Sequence, residues 1–290
     1  MVESRWRLLE DGPAEGAWNL AVDQAVAEAV GRGEAPPTLR FYRWEPPTVS
    51  LGGIQRFPGG VDVAACRRRG IPLVRRMTGG RAVLHAAELT YSAAVPRQGA
   101  WRAPVPEVFR RLCEGLMAGL GRLGISARLG EDGSSRGGPG AGACFLLPNA
   151  PAILADGRKL VGSAQHRSDR AVLQQGSLLL AFDPDLHLAV FPGWPRGQPA
   201  AGIASLGDLL GRIPAWTQLV AALCQGWQER VGPVGPPEVL TAAESARARH
   251  LVRVRYGSAA WTTDRRLDER EQDPGGSEGG ERPPEAAKRA

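Results

Sequence analysis

Arg75-Arg76-Met77-Thr78-Gly79-Gly80-Arg81-Ala82-Val83-Leu84-His85, continued by Glu88-Leu89-Thr90-Tyr91-Ser92, is the stretch on which the reading of this chain turns. Apolar and β-branched residues on either side of a Gly-Gly pair predict a strand, a tight turn and a second strand. Glycine has no Cβ, so its backbone N–H can approach a ligand closely, and the flanking arginines favour an anionic or carbonyl-rich one. The same residues also fit a plain hairpin with surface arginines. Residue types alone leave both readings open.

Working outward, the elements alternate in type. Ala21, Val22, Ala25, Val26 and Ala29 recur at helical spacing and predict a helix over Trp18 to Val30. Strands are expected at Thr38–Trp44 and Thr48–Leu51, separated by the breaker Glu45-Pro46-Pro47, with a short helix around Asp62 to Arg69 stopping at Gly70. Strands then follow at Ile71–Arg75, Arg81–Leu84 and Leu89–Val95. Phe109, Leu112, Leu116, Leu120 and Leu123 form the apolar stripe of a helix over Val105 to Leu123. Gly130 to Gly142 is rich in Gly, Ser and Pro and reads as a flexible loop. Beyond it come strands at Ala152–Leu154, Lys159–Gly162 and Ala171–Phe182, a Pro/Gly-rich crossing over Phe191–Ala201, and a helix over Trp216 to Arg230. The pattern is α+β, a mixed sheet with helices packed on it.

Composition narrows the classes. In 290 residues, 43% are apolar and 23% charged, as expected of a soluble globular protein. No apolar run approaches the roughly 18 residues a membrane span needs, and Met1-Val2-Glu3-Ser4-Arg5-Trp6-Arg7 lacks a signal peptide's apolar core. A cytoplasmic location with no membrane partner is the expectation. Residues 264–290 are highly charged, with Leu267 their one aliphatic side chain larger than alanine, and are expected to be a disordered tail to a domain spanning 1–263. Before residue 264 the chain holds 30 basic and 22 acidic residues, a net +8 that favours acidic partners. The arginines are scattered and not interleaved with aromatics, which argues against nucleic acid.

Chemistry is carried by three further features. Lys159, in Asp156-Gly157-Arg158-Lys159-Leu160-Val161-Gly162-Ser163-Ala164-Gln165, is one of two lysines among 36 basic residues. A lysine kept where arginine dominates hints at a compact, titratable ammonium, although a chance survivor remains the other reading. Of the four cysteines, Cys113 and Cys224 continue helical apolar stripes and Cys66 sits on a short helix, which suits core residues. Cys144 stands where the Gly-rich loop meets a strand, and is equally a buried residue or a reactive thiol. With no CxxC and no Cys/His cluster, a zinc site is not expected.

Together these segments resemble the biotin/lipoate protein ligase and lipoyl(octanoyl) transferase superfamily. The match is nearest to its octanoyl-[acyl-carrier-protein]:protein octanoyltransferases of lipoate biosynthesis. Leu39-Arg40-Phe41-Tyr42, Trp44, Pro46-Pro47-Thr48 and Leu173-Gln174-Gln175-Gly176-Ser177-Leu178-Leu179 follow the same pattern, and the resemblance is dense from Trp6 to about Asp183. It implies the ligase catalytic-domain fold and an acyltransferase in which Cys144 accepts octanoate as a thioester. It assigns Lys159, fifteen residues on, to lowering the cysteine's pKa and assisting transfer. It places Arg75, Thr78, Gly79, Gly80, Arg81, Ala82, Val83, His85, Gly162 and Ser163 around the substrate, His85 being either a contact or a structural histidine. Octanoyl-acyl carrier protein is the implied donor, and an apo lipoyl-domain protein, foremost glycine cleavage H protein, the acceptor. No cofactor, ATP or metal is implied, and the enzyme is expected to be a monomer.

Three departures from the family pattern stand out. Gln175 replaces a usual histidine, Met77 a usual proline, and Asn149-Ala150-Pro151-Ala152 a segment that typically holds an aromatic and a glutamate. The alternative within the same fold is an ATP-dependent lipoate–protein ligase. Such ligases typically have a third glycine where Arg81 stands and often a further C-terminal domain.

Overall fold

The structure, a computed structural model, describes residues 5–130, 152–193 and 202–267. Cys144, the loop expected over Gly130 to Gly142 apart from its first residue, most of the Phe191–Ala201 crossing and the tail from 268 lie outside these residues.

Among the described residues eleven strands form two sheets. The strands are β1 (Trp6–Ala14), β2 (Thr38–Trp44), β3 (Thr48–Leu51), β4 (Leu73–Arg75), β5 (Val83–His85), β6 (Glu88–Pro96), β7 (Ala127–Leu129), β8 (Ala152–Ala155), β9 (Arg158–Arg167), β10 (Ala171–Leu179) and β11 (Val234–Glu238). The large sheet runs β11-β1-β2-β6-β10-β9-β8-β7, with β1 parallel to both neighbours and the remaining pairs antiparallel. The small sheet runs β4-β3-β5. The α-helices among the described residues are α1 (Gly16–Arg32), α2 (Val63–Arg68), α3 (Val105–Arg122), α4 (Pro184–Val190), α5 (Leu206–Leu210), α6 (Trp216–Arg230), α7 (Ala242–Leu251) and α8 (Ala259–Asp264).

The period-2 alternation of strands separates two cores. Leu39 and Phe41 of β2 and Leu89, Tyr91, Ala93 and Val95 of β6 face helices α3 (Val105–Arg122) and α6 (Trp216–Arg230). These two helices meet at glycines: a Cβ on Gly226 would lie 2.0 Å from the Gly119 nitrogen. The opposite face, with Tyr42, Trp44 and Ala94, packs on α1 (Gly16–Arg32) and α7 (Ala242–Leu251). Helix α1 runs two residues longer at each end than its apolar pattern predicts and stops at Gly33, whose φ of +76° suits glycine.

A buried carboxylate fixes α1 to the sheet. Asp23 accepts hydrogen bonds from Arg40 Nη1 (2.7 Å), Tyr42 OH (2.8 Å), Ser92 Oγ (2.7 Å) and Gln175 Nε2 (2.5 Å), and so touches β2, β6 and β10 at once. Burial works against the Arg40 charge, but Asp23 and Asp11 outweigh it and hold its pKa above the ordinary arginine value. Burial and the neighbouring Asp23 carboxylate push the Tyr42 phenol well above its usual range.

Two sequence expectations change. The Arg75–His85 stretch is not a hairpin of two paired strands: β3 lies between β4 and β5, parallel to the first and antiparallel to the second. The cause is backbone proximity, since a Cβ on Gly52 would lie 1.9 Å from the Gly80 oxygen. Nor are the arginines superficial, for Arg75 and Arg76 are buried. Val234–Glu238, with two prolines, adds β11 at the sheet edge, where a missing N–H is tolerated. The expected domain end at 263 falls one residue before the last turn of α8 (Ala259–Asp264) closes. There Arg75 Nε donates to the Thr262 carbonyl (2.9 Å) and Trp261 Nε1 donates to that of Arg75 (2.9 Å).

Removing the Asp23 carboxylate leaves buried Arg40 with the partly exposed Asp11 as its remaining counter-charge and takes the acceptor from Tyr42, Ser92 and Gln175. Breaking a buried pair ordinarily costs about 3–5 kcal/mol. Asp23→Ala is therefore expected to shift the urea midpoint far downward, by about that free energy. A shift within the range of a surface substitution would show that Asp11 and Asn19 suffice to hold Arg40.

Candidate active site

Between the α1 face of the large sheet and the small sheet lies a pocket with about 470 Å³ of space between atoms, counting its mouth. Trp44, Ser50, Arg76, Thr78, Val83, His85, Gly162, Ser163, Gln175 and Gly176 are among its walls. Many of these are polar, yet their polar atoms are engaged with one another. Thr78 Oγ1 donates to Gln175 Oε1 (3.0 Å), and Gln175 donates onward to Asp23. Trp44 Nε1 donates to Thr90 Oγ1 (2.6 Å). Ser177 and Thr90 both donate to the buried Glu88 carboxylate. Tyr91 OH and Ser163 Oγ are 2.8 Å apart. What such walls present is chiefly carbon, the environment an alkyl chain favours over water.

Gly176 is required by this arrangement. A Cβ there would lie 2.3 Å from the Tyr91 ring and 2.5 Å from Ser163 Oγ. Arg76 shapes the opposite wall. Its guanidinium donates to the carbonyls of Ser50 (3.0 Å), Gly79 (2.7 Å) and Arg81 (2.8 Å), drawing the Gly-Gly segment back onto β3. His85 stacks flat on Trp44 with ring centroids 4.0 Å apart.

The residues expected from the sequence divide clearly. Thr78, Val83, His85, Gly162 and Ser163 line the pocket. Gly79, Gly80, Arg81 and Ala82 form the adjoining loop but are not among its walls, and Ala82 is buried in the core beneath the small sheet. Arg75 reaches away from the pocket to the carbonyls of Gly52 (2.8 Å), Gln55 (2.7 Å) and α8, which is a structural task. Lys159 is buried near the start of β9, four residues before Ser163, or about 13 Å along the strand. Its N–H donates to the Gly202 carbonyl and its own carbonyl accepts from Ala204, both at 2.9 Å. The turn that delivers it is an Asp-Gly pair with positive φ at both positions, +49° at Asp156 and +72° at Gly157. Cys144 is outside the described residues.

Ser50, Arg76, Thr90, Gln175 and Ser177 are pocket residues that the sequence reading did not single out as binding residues. Their signal was polar side chains inside strands that are otherwise buried and apolar, visible in Thr48-Val-Ser-Leu51 and Gln174-Gln175-Gly176-Ser177. His187 is buried between Phe182 and Phe191, and burial lowers its pKa. Among the described residues no group of three His, Cys, Asp or Glu side chains is arranged to hold a metal ion, and no helix is long and apolar enough to cross a membrane.

Burial pushes the three described thiols up, Cys66 to about 11 and Cys113 and Cys224 to about 12. At pH 8 only about one in a thousand, or fewer, is thiolate, the reactive form. Iodoacetamide at pH 8 is therefore expected to leave Cys66, Cys113 and Cys224 unmodified in the folded protein, as read by peptide mass mapping. Alkylation of any of them at the rate of a free thiol would contradict their burial.

Residues 15–228 match the family model described as the lipoyl protein ligase A/B catalytic domain. Octanoyltransferase LipM of Symbiobacterium thermophilum is 40% identical over 272 residues, 90% of this chain and 98% of that protein. The protein of the same name from Kyrpidia tusciae is 42% identical over 268 residues, 88% and 97% of the two chains. Among solved structures, a lipoate-protein ligase A bound with ATP superposes with a TM-score of 0.76 at 27% identity, covering 90% of this chain and 99% of that one.

Proposed function

Because this chain belongs to the lipoyl protein ligase A/B catalytic-domain family, we propose that it is an acyltransferase of lipoate metabolism that moves an octanoyl group onto a lipoyl-domain protein. The observation that carries this reading is the carbon-walled pocket, whose polar groups are satisfied internally and which suits a medium-length alkyl chain. The names of the relatives point to the same acyl group.

In this reading the donor is octanoyl-acyl carrier protein and the reaction runs in two steps. Cys144 Sγ bonds to the acyl carbon as the carrier's C–S bond breaks, and the carrier leaves as a thiol. The lysine amine of the acceptor, glycine cleavage H protein by preference, then bonds to the acyl carbon, loses its proton and releases Cys144. Exchange of one thioester for another is nearly neutral in free energy and thioester to amide is downhill, so neither ATP nor a metal is needed. The three other cysteines, held as thiols by burial, make poor nucleophiles, which leaves Cys144 as the candidate.

Lys159 is assigned to activating that thiol. A free cysteine has a pKa near 8.5, so only a few per cent is thiolate at pH 7. An ammonium about 4 Å away contributes up to roughly 4 kcal/mol at an effective dielectric near 20. Lowering the pKa by about 1.5 units needs only about 2 kcal/mol. The net +8 before residue 264 would speed encounter with acidic carrier and lipoyl domains. The enzyme is taken to act as a cytoplasmic monomer.

Intact mass of the enzyme mixed with octanoyl carrier protein, without ATP, tests the reading. A gain of one octanoyl group that hydroxylamine removes is expected on the peptide that carries Cys144, and Cys144→Ser should abolish that thioester and transfer to the acceptor. Activity that appears only with ATP and free lipoate would instead establish the ligase alternative. Lys159→Arg is expected to fail nearly as badly as Lys159→Ala, because a planar guanidinium cannot yield its proton at neutral pH. Near wild-type single-turnover rates in the arginine variant would remove the special role of lysine.

A further inference from the structure

Ser50 lines the pocket from the middle of β3, and its hydroxyl belongs to an ordered polar chain. Ser50 Oγ lies 2.8 Å from His85 Nε2, and His85 Nδ1 lies 2.7 Å from Glu88 Oε1. The carboxylate of Glu88 also accepts from Thr90 and Ser177, so every partner around it is a donor and His85 Nδ1 carries the ring hydrogen. Arg76 Nη1 donates to Ser50 Oγ (3.0 Å), which directs the hydroxyl hydrogen of Ser50 toward the lone pair of Nε2. Nucleophile, base and orienting carboxylate thus stand in the sequence of contacts used by acyl-transferring serine enzymes, a constellation recognised by geometry and not by chain order.

Two further features support a reactive arrangement. The Trp44 ring, 4.0 Å from His85 and within 12° of parallel, holds the imidazole in one plane. The Arg76 guanidinium places a fixed positive charge 3.0 Å from Ser50 Oγ, the atom on which negative charge develops as the hydroxyl loses its proton. The strand itself does not need this hydroxyl, because β3 is held by backbone pairing of Ser50 with Val74 and Val83.

We propose that Ser50 is a second nucleophile, through which the pocket hydrolyses medium-chain acyl thioesters and esters when no acceptor amine is present. Ser50 Oγ bonds to the acyl carbon as the C–S or C–O bond of the substrate breaks. The hydroxyl proton passes to His85 Nε2 and from there to the leaving thiolate or alkoxide. Water, giving a proton to the same imidazole, then adds to the acyl carbon; the Ser50 ester C–O bond breaks, Ser50 Oγ takes that proton back from His85 Nε2, and the free fatty acid leaves. The inference rests on the pocket being the acyl pocket, but it does not use Cys144.

The test uses the full chain carrying Cys144→Ala, with S-octanoyl-N-acetylcysteamine or p-nitrophenyl octanoate as substrate and a fluorophosphonate as covalent probe. Hydrolysis is expected to persist in this protein and to fall by about 100-fold or more when Ser50→Ala or His85→Gln is added. Peptide mapping should find the phosphonyl group on Ser50 in the Cys144→Ala protein, a readout that does not depend on whether the Ser50 variant folds. Absence of hydrolysis above buffer, or hydrolysis with no adduct at Ser50, overturns the proposal. Octanoyl transfer to an apo lipoyl domain is measured in parallel. Transfer that survives Cys144→Ala sinks the acyl-cysteine reading and leaves the Ser50 result to stand or fall separately.

Discussion

One buried carboxylate organises the molecule. Asp23, on α1, takes donors from three adjacent strands of the large sheet, and it shares Arg40 with Asp11 and Asn19. A charge in the interior is tolerable only when it is paired and its remaining lone pairs are satisfied. The helix therefore has one height and one rotation over the sheet at which all four bonds close. Because Gln175 is among the donors and Thr78 leans on Gln175, the same requirement fixes one wall of the pocket.

The opposite wall depends on backbone approach. Gly52 and Gly80 come closer than any side chain would allow, and Arg76 gathers the carbonyls of Ser50, Gly79 and Arg81 behind them. Arg75, its neighbour in sequence, does the same for Gly52, Gln55 and α8, so the last described helix is tied to the rim of the small sheet. Arg75 ends β4 and Arg76 follows it, and the two side chains go to different partners. One serves the pocket and the other the attachment of the C-terminal elements.

The chemistry follows from how the polar groups are used. Hydroxyls and amides that bond one another leave carbon facing the cavity, and the energetic reason is the cost of leaving a buried donor or acceptor without a hydrogen bond. The exception is a chain of groups whose members are polarised in one direction, from Glu88 through His85 to Ser50. Three cysteines have no comparable neighbours and are kept as thiols by burial, though Cys224 is only partly enclosed.

Periodicity in the sequence was sufficient for the local elements. The bounds of Thr38–Trp44, Thr48–Leu51 and Trp216–Arg230 are as read, because each is a run whose apolar spacing has one period and whose ends carry breakers. The mixed α+β class and the family followed from motifs made of neighbouring residues. Strand partners did not, since β3 enters between β4 and β5 through contacts of glycines far apart in the chain. Nor was the edge strand at Val234–Glu238 or the helices after it legible, because prolines and charges mask elements whose burial comes from Arg7 meeting Glu244 and Arg75 meeting α8. The family resemblance named Thr78, Val83, His85, Gly162 and Ser163 as candidates, and the fold alone decided that Ser50, Arg76 and Gln175 join them while Arg75 turns away. A sequence specifies which groups are available. Which of them meet is decided where burial forces each polar atom to find a partner, and those partners come from distant strands.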